Sequence, residues 1–74
     1  MKVIVDYTCN KRKTIDVDDE FYKLSDSGGY ETLSDKERNR LTNALLDQVV
    51  EKTGAFFHSI SSVETEDGEF LVEI

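Results

Sequence analysis

The segment SDKERNRLTNALLDQVVEKTG, residues 34–54, carries the signals for both ends of one long helix. Ser34 is followed three residues later by Glu37, which forms a capping box for the first backbone N–H groups of the helix. Gly54 stands where a helix commonly ends, because glycine adopts the left-handed conformation at no steric cost. The sequence therefore predicts a helix over residues 35–53.

The predicted helix is amphipathic and has a single apolar stripe, with Val50 at its edge. The other members of the stripe are Leu41, Leu45, Leu46 and Val49. The opposite side is polar and contains Lys36, Arg40, Asn43, Asp47 and Glu51. Because a helix with one apolar face packs on one layer, we expect it to cover one face of a sheet.

The C-terminal segment changes to a period of two residues, which is typical of strands. Asp67-Gly68 lies between two runs rich in β-branched and aromatic residues and predicts a hairpin with a two-residue turn. In that register Thr65 is opposite Phe70, and the side chains divide between two faces. The face toward the helix contains Val63, Thr65, Phe70, Val72 and Ile74. The outer face contains Ser62, Glu64, Glu66, Glu69, Leu71 and Glu73.

The N-terminal segment predicts a second hairpin. Residues 2–8 alternate between polar and apolar side chains, and residues 14–17 repeat the pattern briefly, so residues 9–13 are expected to form the connecting loop. Acidic residues 18–20 precede a short helical turn over residues 21–24, and a serine- and glycine-rich loop follows.

These elements predict an α+β fold, in which one amphipathic helix packs on one face of a mostly antiparallel four-stranded sheet. The expected order is ββαββ, or βαββ if the segment 14–17 is unpaired. At 74 residues, the chain is expected to form a single domain over residues 1–74.

Charge is the feature that bears most directly on partners. The net charge is −7, and residues 55–74 contain five acids but no lysine or arginine. Such a surface repels nucleic acid and anionic membranes and favours a protein with a basic surface. A single cysteine, Cys9, excludes an intramolecular disulfide, and there is no charged and apolar leader, so we expect a cytoplasmic protein.

The sequence shows no catalytic or cofactor motif, and the expectation is a protein that is not an enzyme and has no cofactor or metal. Cys9 and His58 lack the pattern of a nucleophile and its base. The acidic residues 16–20 lack the glycine and glutamate that a calcium loop requires. Gly28-Gly29 lacks the lysine and the preceding strand of a phosphate-binding loop.

The leading hypothesis is a protein-binding module that uses the acidic outer face of the C-terminal hairpin. The residues of this predicted site are Glu64, Glu66, Asp67, Glu69 and Glu73. The plainer interpretation of the same acids is a charged sheet surface that prevents aggregation. In size, charge and compactness the chain resembles small acidic proteins of phages and other mobile elements that inhibit nucleic-acid-binding enzymes by imitating nucleic-acid charge.

Two alternatives belong to other classes. One is a nucleic-acid-binding regulator that contacts phosphates through the basic loop of Lys11, Arg12 and Lys13. Neighbouring aromatic side chains would strengthen that interpretation, but Tyr7 is expected to point inward. The other alternative is a small structural homodimer joined through strand edges.

Overall fold

The computed structural model describes residues 1–73, except for the side chain of Tyr30. Four strands and one long helix form the molecule: β1 (Lys2–Tyr7), β2 (Lys11–Asp16), α1 (Asp35–Thr53), β3 (Ile60–Thr65) and β4 (Phe70–Glu73). Short 3₁₀ helices cover Asp19–Leu24, Tyr30–Thr32 and Phe57–Ser59. The predicted α+β fold with the order ββαββ is confirmed.

The four strands form one antiparallel sheet in the order β2-β1-β3-β4. Strands β1 and β3 therefore lie in the centre, while β2 and β4 are the two edges. Helix α1 and the 3₁₀ helix Asp19–Leu24 cover one face of the sheet, and their apolar side chains form the core with those of the strands.

Helix α1 begins and ends as the sequence predicts. The Ser34 hydroxyl accepts a hydrogen bond of 3.2 Å from the backbone N–H of Glu37. Gly54 ends the helix with φ +72°, and its N–H donates to the carbonyl of Val50 at 2.9 Å. The buried side chains of the helix are Leu41, Leu45, Leu46 and Val49, which confirms the predicted stripe.

Strand β2 is longer than predicted, because it begins at Lys11 and the turn contains only residues 8–10. All six pairs with β1 keep one register, from Lys2 opposite Asp16 to Tyr7 opposite Lys11. The expected loop over residues 9–13 is therefore wrong for residues 11–13. As an edge strand with exposed side chains over its first four residues, β2 lacks the apolar period that would have marked its start.

The turn between β3 and β4 contains three residues instead of the predicted two. The N–H of Gly68 donates to the carbonyl of Thr65 at 3.0 Å, and the N–H of Thr65 donates to the carbonyl of Glu69 at 2.8 Å. Gly68 has φ +89°, which is the left-handed conformation that this class of hairpin places after a β-turn. The predicted pairing of Thr65 with Phe70 is thus wrong.

A β-bulge restores the predicted register further along the hairpin. Glu64 is opposite Phe70, whereas Val63 is opposite Val72 as predicted, so Leu71 is the extra residue of β4. Leu71 is consequently buried at 6% exposure, and Phe70 is 49% exposed. The sequence predicted the reverse for both side chains. The predicted inward position of Ile74 lies outside the described residues.

Candidate functional site

The five carboxylates of the predicted site do not share one sheet face. Glu64 lies on the outer face in β3, Glu66 and Asp67 lie in the turn, and Glu69 and Glu73 lie on the β4 side of the hairpin. The shift at the turn and the bulge in β4 separate side chains that a regular ladder would have aligned. The predicted acidic face is therefore wrong for Glu69, which lies opposite the buried Thr65, whereas Glu73 keeps its predicted place opposite Ser62 on the outer face.

Glu64 belongs to a polar cluster on the outer face of the sheet. Arg12 donates to Asp6 through Nε at 2.8 Å and through Nη2 at 3.1 Å, and its Nη2 lies 3.6 Å from Oε1 of Glu64. The Ser62 hydroxyl donates to Asp6 at 3.3 Å. The hydrogen bonds from Arg12, its positive charge and the hydrogen bond from Ser62 hold the pKa of Asp6 below its ordinary value. Glu64 is already paired and only 15% exposed, so it is a poor contact for a partner.

Glu66 and Asp67 project from the turn between β3 and β4, where both are exposed. Neither carboxylate forms an ion pair with any residue in the range 1–73. Because the turn is closed by backbone hydrogen bonds, these two acids are held at a fixed place beside the start of β4.

A groove of about 440 Å³ runs beside β4. It is lined by Leu24, Asp26, Glu69, Phe70, Leu71 and Glu73. The two leucines are buried members of the core, whereas the phenylalanine side chain is half exposed. The groove therefore combines an apolar floor with three carboxylates, and none of these carboxylates forms an ion pair within the described part of the chain.

Glu69 is the carboxylate most deeply set in this groove. Its Oε1 accepts a hydrogen bond from the hydroxyl of Ser27, which links the loop after the first 3₁₀ helix to β4. Its Oε2 is buried and has no hydrogen-bond partner in the described structure. An unsatisfied buried acceptor is unfavourable by about 1–3 kcal/mol.

The backbone of β4 is open on the side away from β3. Among residues 1–73, no hydrogen bond outside the ladder with β3 involves the backbone of Phe70–Glu73. Unpaired N–H and C=O groups at a sheet edge are a template for another strand. The groove and the open edge thus lie along the same four residues.

The basic residues of the alternative site are not a mobile loop but part of edge strand β2. Arg12 is bound to Asp6 on the outer face. Lys13 lies on the other face, and its Nζ donates at 3.4 Å to the carbonyl of Lys52 in the last turn of α1. Lys11 is exposed. Two of the three cations therefore have internal partners, which weakens the predicted phosphate contact.

An exposed aromatic segment beside the first turn was not identified from the sequence. Phe56 is 74% exposed and stacks on His58, with ring centroids 5.8 Å apart. The N–H of Thr8 donates to the carbonyl of Ser59 at 2.8 Å, which brings this segment to the turn that contains Cys9. His58 lies in the 3₁₀ helix Phe57–Ser59, directly before β3. In residues 1–73, no hydrogen bond joins Cys9 to His58.

Asp26 was also missed, because its position next to β4 depends on long-range packing of the 25–29 loop. No local pattern marks such a contact.

Neither a metal centre nor a membrane span is found in the part of the chain that the structure describes. No group of three or more potential metal-ligating side chains occurs within residues 1–73. No described helix has the length and apolar character needed to cross a bilayer. Comparisons with protein-family models, with curated proteins and with solved structures found no significant match.

Proposed function

We propose that the chain is a non-enzymatic protein-binding module that engages a basic surface of a partner protein through carboxylates on its β4 side. The acids that carry this proposal are Asp26, Glu66, Asp67, Glu69 and Glu73. The observation behind it is that all five lack an ion pair with the described residues. Glu64 is left out, because Arg12 already pairs with it.

The charge of the chain supports the same proposal. A net charge of −7 on a body with a Cα radius of gyration of 11.3 Å creates a strong negative field. Such a field accelerates association with a positively charged protein and suppresses binding to anionic partners. A protein surface that normally holds nucleic acid has the required positive charge, and it is the kind of partner that we favour.

The test is capture of partners from the native host by the immobilised protein, with two variants of equal charge. Glu66→Gln combined with Asp67→Asn removes two exposed acids from the turn. Asp47→Asn combined with Glu51→Gln removes two acids from the exposed face of α1. We expect the turn variant to lose basic partners, identified by mass spectrometry, that the wild type and the helix variant retain.

Equal capture by both variants would reject a specific role for the turn. Any binding would then depend on the total negative charge and not on the position of these acids. All four substitutions are at exposed positions, so we expect both variants to keep the fold. Circular dichroism of each variant checks this. Rising salt should weaken the retained interaction, because exposed charges are screened.

A further inference from the structure

Three features come together beside strand β4, Phe70–Glu73. The first is a backbone edge with no hydrogen bond outside the ladder with β3, as far as the described chain extends. The second is the apolar floor of the groove. The third is the set of carboxylates of Asp26, Glu69 and Glu73, which line that groove. Together they specify the chemistry of an occupant.

We propose that the groove beside β4 binds an extended segment of the partner protein, which adds as a fifth strand and places a lysine or arginine side chain against these carboxylates. This inference rests on the proposed function and names the form in which the partner binds. An extended segment satisfies the open backbone groups, and its alternate side chains enter the groove. Four residues of strand span about 13 Å, so the segment needs about four to five residues.

The three carboxylates that line the groove explain why the segment should carry a cation. Glu69 is fixed in place, because its Oε2 is buried. Its other oxygen is held by Ser27, so the carboxylate cannot turn toward water without losing that hydrogen bond. An ammonium or guanidinium group in the groove would lie against this fixed negative charge and offset it. Asp26 and Glu73, both exposed, add two further carboxylates to the lining of the groove.

A second copy of this chain is a less favourable occupant. Its basic edge would be β2, but Arg12 is bound to Asp6 and Lys13 to the end of α1. In addition, Lys52 donates to the carbonyl of Asp16 at the end of β2. The Arg12 and Lys13 side chains would have to leave these partners before their charges could reach the carboxylates beside β4. A partner segment has no such cost.

The probe is a seven-residue synthetic peptide of alternating valine and lysine, titrated into the ¹⁵N-labelled protein. We expect chemical-shift changes at the amides of Phe70–Glu73 and at Asp26. Asp26→Asn combined with Glu73→Gln should weaken binding about ten-fold, as close charge pairs at interfaces do. Asp47→Asn combined with Glu51→Gln, which removes the same charge from α1, should leave the affinity unchanged.

Two further peptides separate strand addition from simple charge attraction. A peptide N-methylated at alternate residues keeps its charge but loses the N–H groups that would pair with β4, so we expect binding to fall at least about ten-fold. Replacing lysine by glutamate should abolish binding. Equal binding of the methylated and unmethylated peptides would overturn this inference while leaving the proposed acidic contact intact.

The remaining outcomes are also decisive. No peptide binding at β4, together with loss of partner capture in the turn variant, would reject the groove but keep the proposed function. No peptide binding and no selective capture would reject both. A dimer in sedimentation, with the β4 amides protected from hydrogen exchange in the absence of peptide, would assign the edge to a second copy and overturn the choice of a partner segment.

Discussion

The two hairpins of the sheet have similar lengths, but they differ in the regularity of their register and in whether their charged side chains have partners within the molecule. The β1–β2 hairpin keeps one register over six pairs, and two of its cations have partners: Arg12 pairs with Asp6 and Glu64, and Lys13 donates to the carbonyl of Lys52. The β3–β4 hairpin contains a bulge, and its edge strand carries carboxylates without ion pairs in the described chain. The two edge strands therefore differ in their side chains: cations of β2 have partners within the molecule, whereas Glu73 of β4 has no ion pair with the described residues.

The difference shows that net charge alone does not locate a binding surface. Glu64 and Glu73 are both acids of the C-terminal hairpin, yet one pairs with Arg12 and the other is exposed without an ion pair to any described residue. The position of a single bulge in β4 determines which side chains reach the groove. Substitutions at the bulge, at the two turns and at the ion pairs of β2 therefore test the contrast between the hairpins.

The largest expected effect concerns the bulge itself. Leu71→Ala should lower the free energy of unfolding by about 2–4 kcal/mol, because it removes a buried side chain and leaves a cavity. Phe70→Ala should lower it by about 1 kcal/mol or less, since that side chain is half exposed. Urea denaturation followed by circular dichroism gives both values.

A larger loss of unfolding free energy for Phe70→Ala than for Leu71→Ala would instead indicate the regular register that the sequence predicts. Leu71→Val, with an expected loss of about 1 kcal/mol, keeps the comparison measurable if the alanine variant is unfolded. Ile15→Ala provides a matched control at the other edge, where the side chain is 7% exposed.

The second prediction concerns the turn of the β3–β4 hairpin. Gly68→Ala should lower the free energy of unfolding by about 1 kcal/mol, because φ is +89° and an L side chain is strained there. A Cβ at this position would meet no atom within 4 Å, so the cost is conformational and not steric. Gly68→Asn should cost less in the same denaturation experiment. Equal losses for alanine and asparagine would contradict this explanation.

The helix was predicted to the residue because its signals are local. Ser34, Glu37 and Gly54 act within one turn of the backbone, and the apolar stripe repeats with the period of a helix. The antiparallel sheet followed from the alternation in residues 2–8 and in the C-terminal segment. These parts of the fold are predictable because they depend on short, local stretches of sequence.

The candidate site was only partly predictable, because it depends on non-local choices. Asp67-Gly68 fits either a two-residue turn or a three-residue turn that ends in glycine, and the difference moves Phe70 to the opposite face. The pairing of Glu64 with Arg12 requires three adjacent strands in register. The contact of Ser27 with Glu69 requires the loop to reach β4.

A smaller effect is expected in the turn of the β1–β2 hairpin. Thr8 has φ +51°, which is unfavourable for a β-branched residue. Thr8→Asn should raise the free energy of unfolding by about 0.5 kcal/mol, because asparagine tolerates this conformation. Thr14→Asn, at an exposed position within β2, should lower stability instead. If both variants lowered the free energy of unfolding, backbone strain at Thr8 would be contradicted.

The smallest expected effect tests the ion pairs that occupy the β2 side of the sheet. Arg12→Gln removes the partner of Asp6 and Glu64, so stability at neutral pH should fall slightly, as for other exposed pairs. Arg40→Gln on the exposed face of α1 is the control of equal charge. Arg12→Gln should cost more than Arg40→Gln in thermal or urea denaturation.

The pH dependence of that difference follows from the lowered pKa of Asp6, whose cause is first the hydrogen bonding and then the charge of Arg12. A carboxyl with a lowered pKa in the folded state stabilises the protein above its ordinary pKa of 3.8 and loses that contribution as the pH falls through the folded value. Arg12→Gln should therefore lower the free energy of unfolding more than Arg40→Gln does at neutral pH, and this difference should disappear in strong acid. An excess that persists when Asp6 is protonated would mean that Arg12 acts by packing, and the contrast between the two edges would then not be electrostatic.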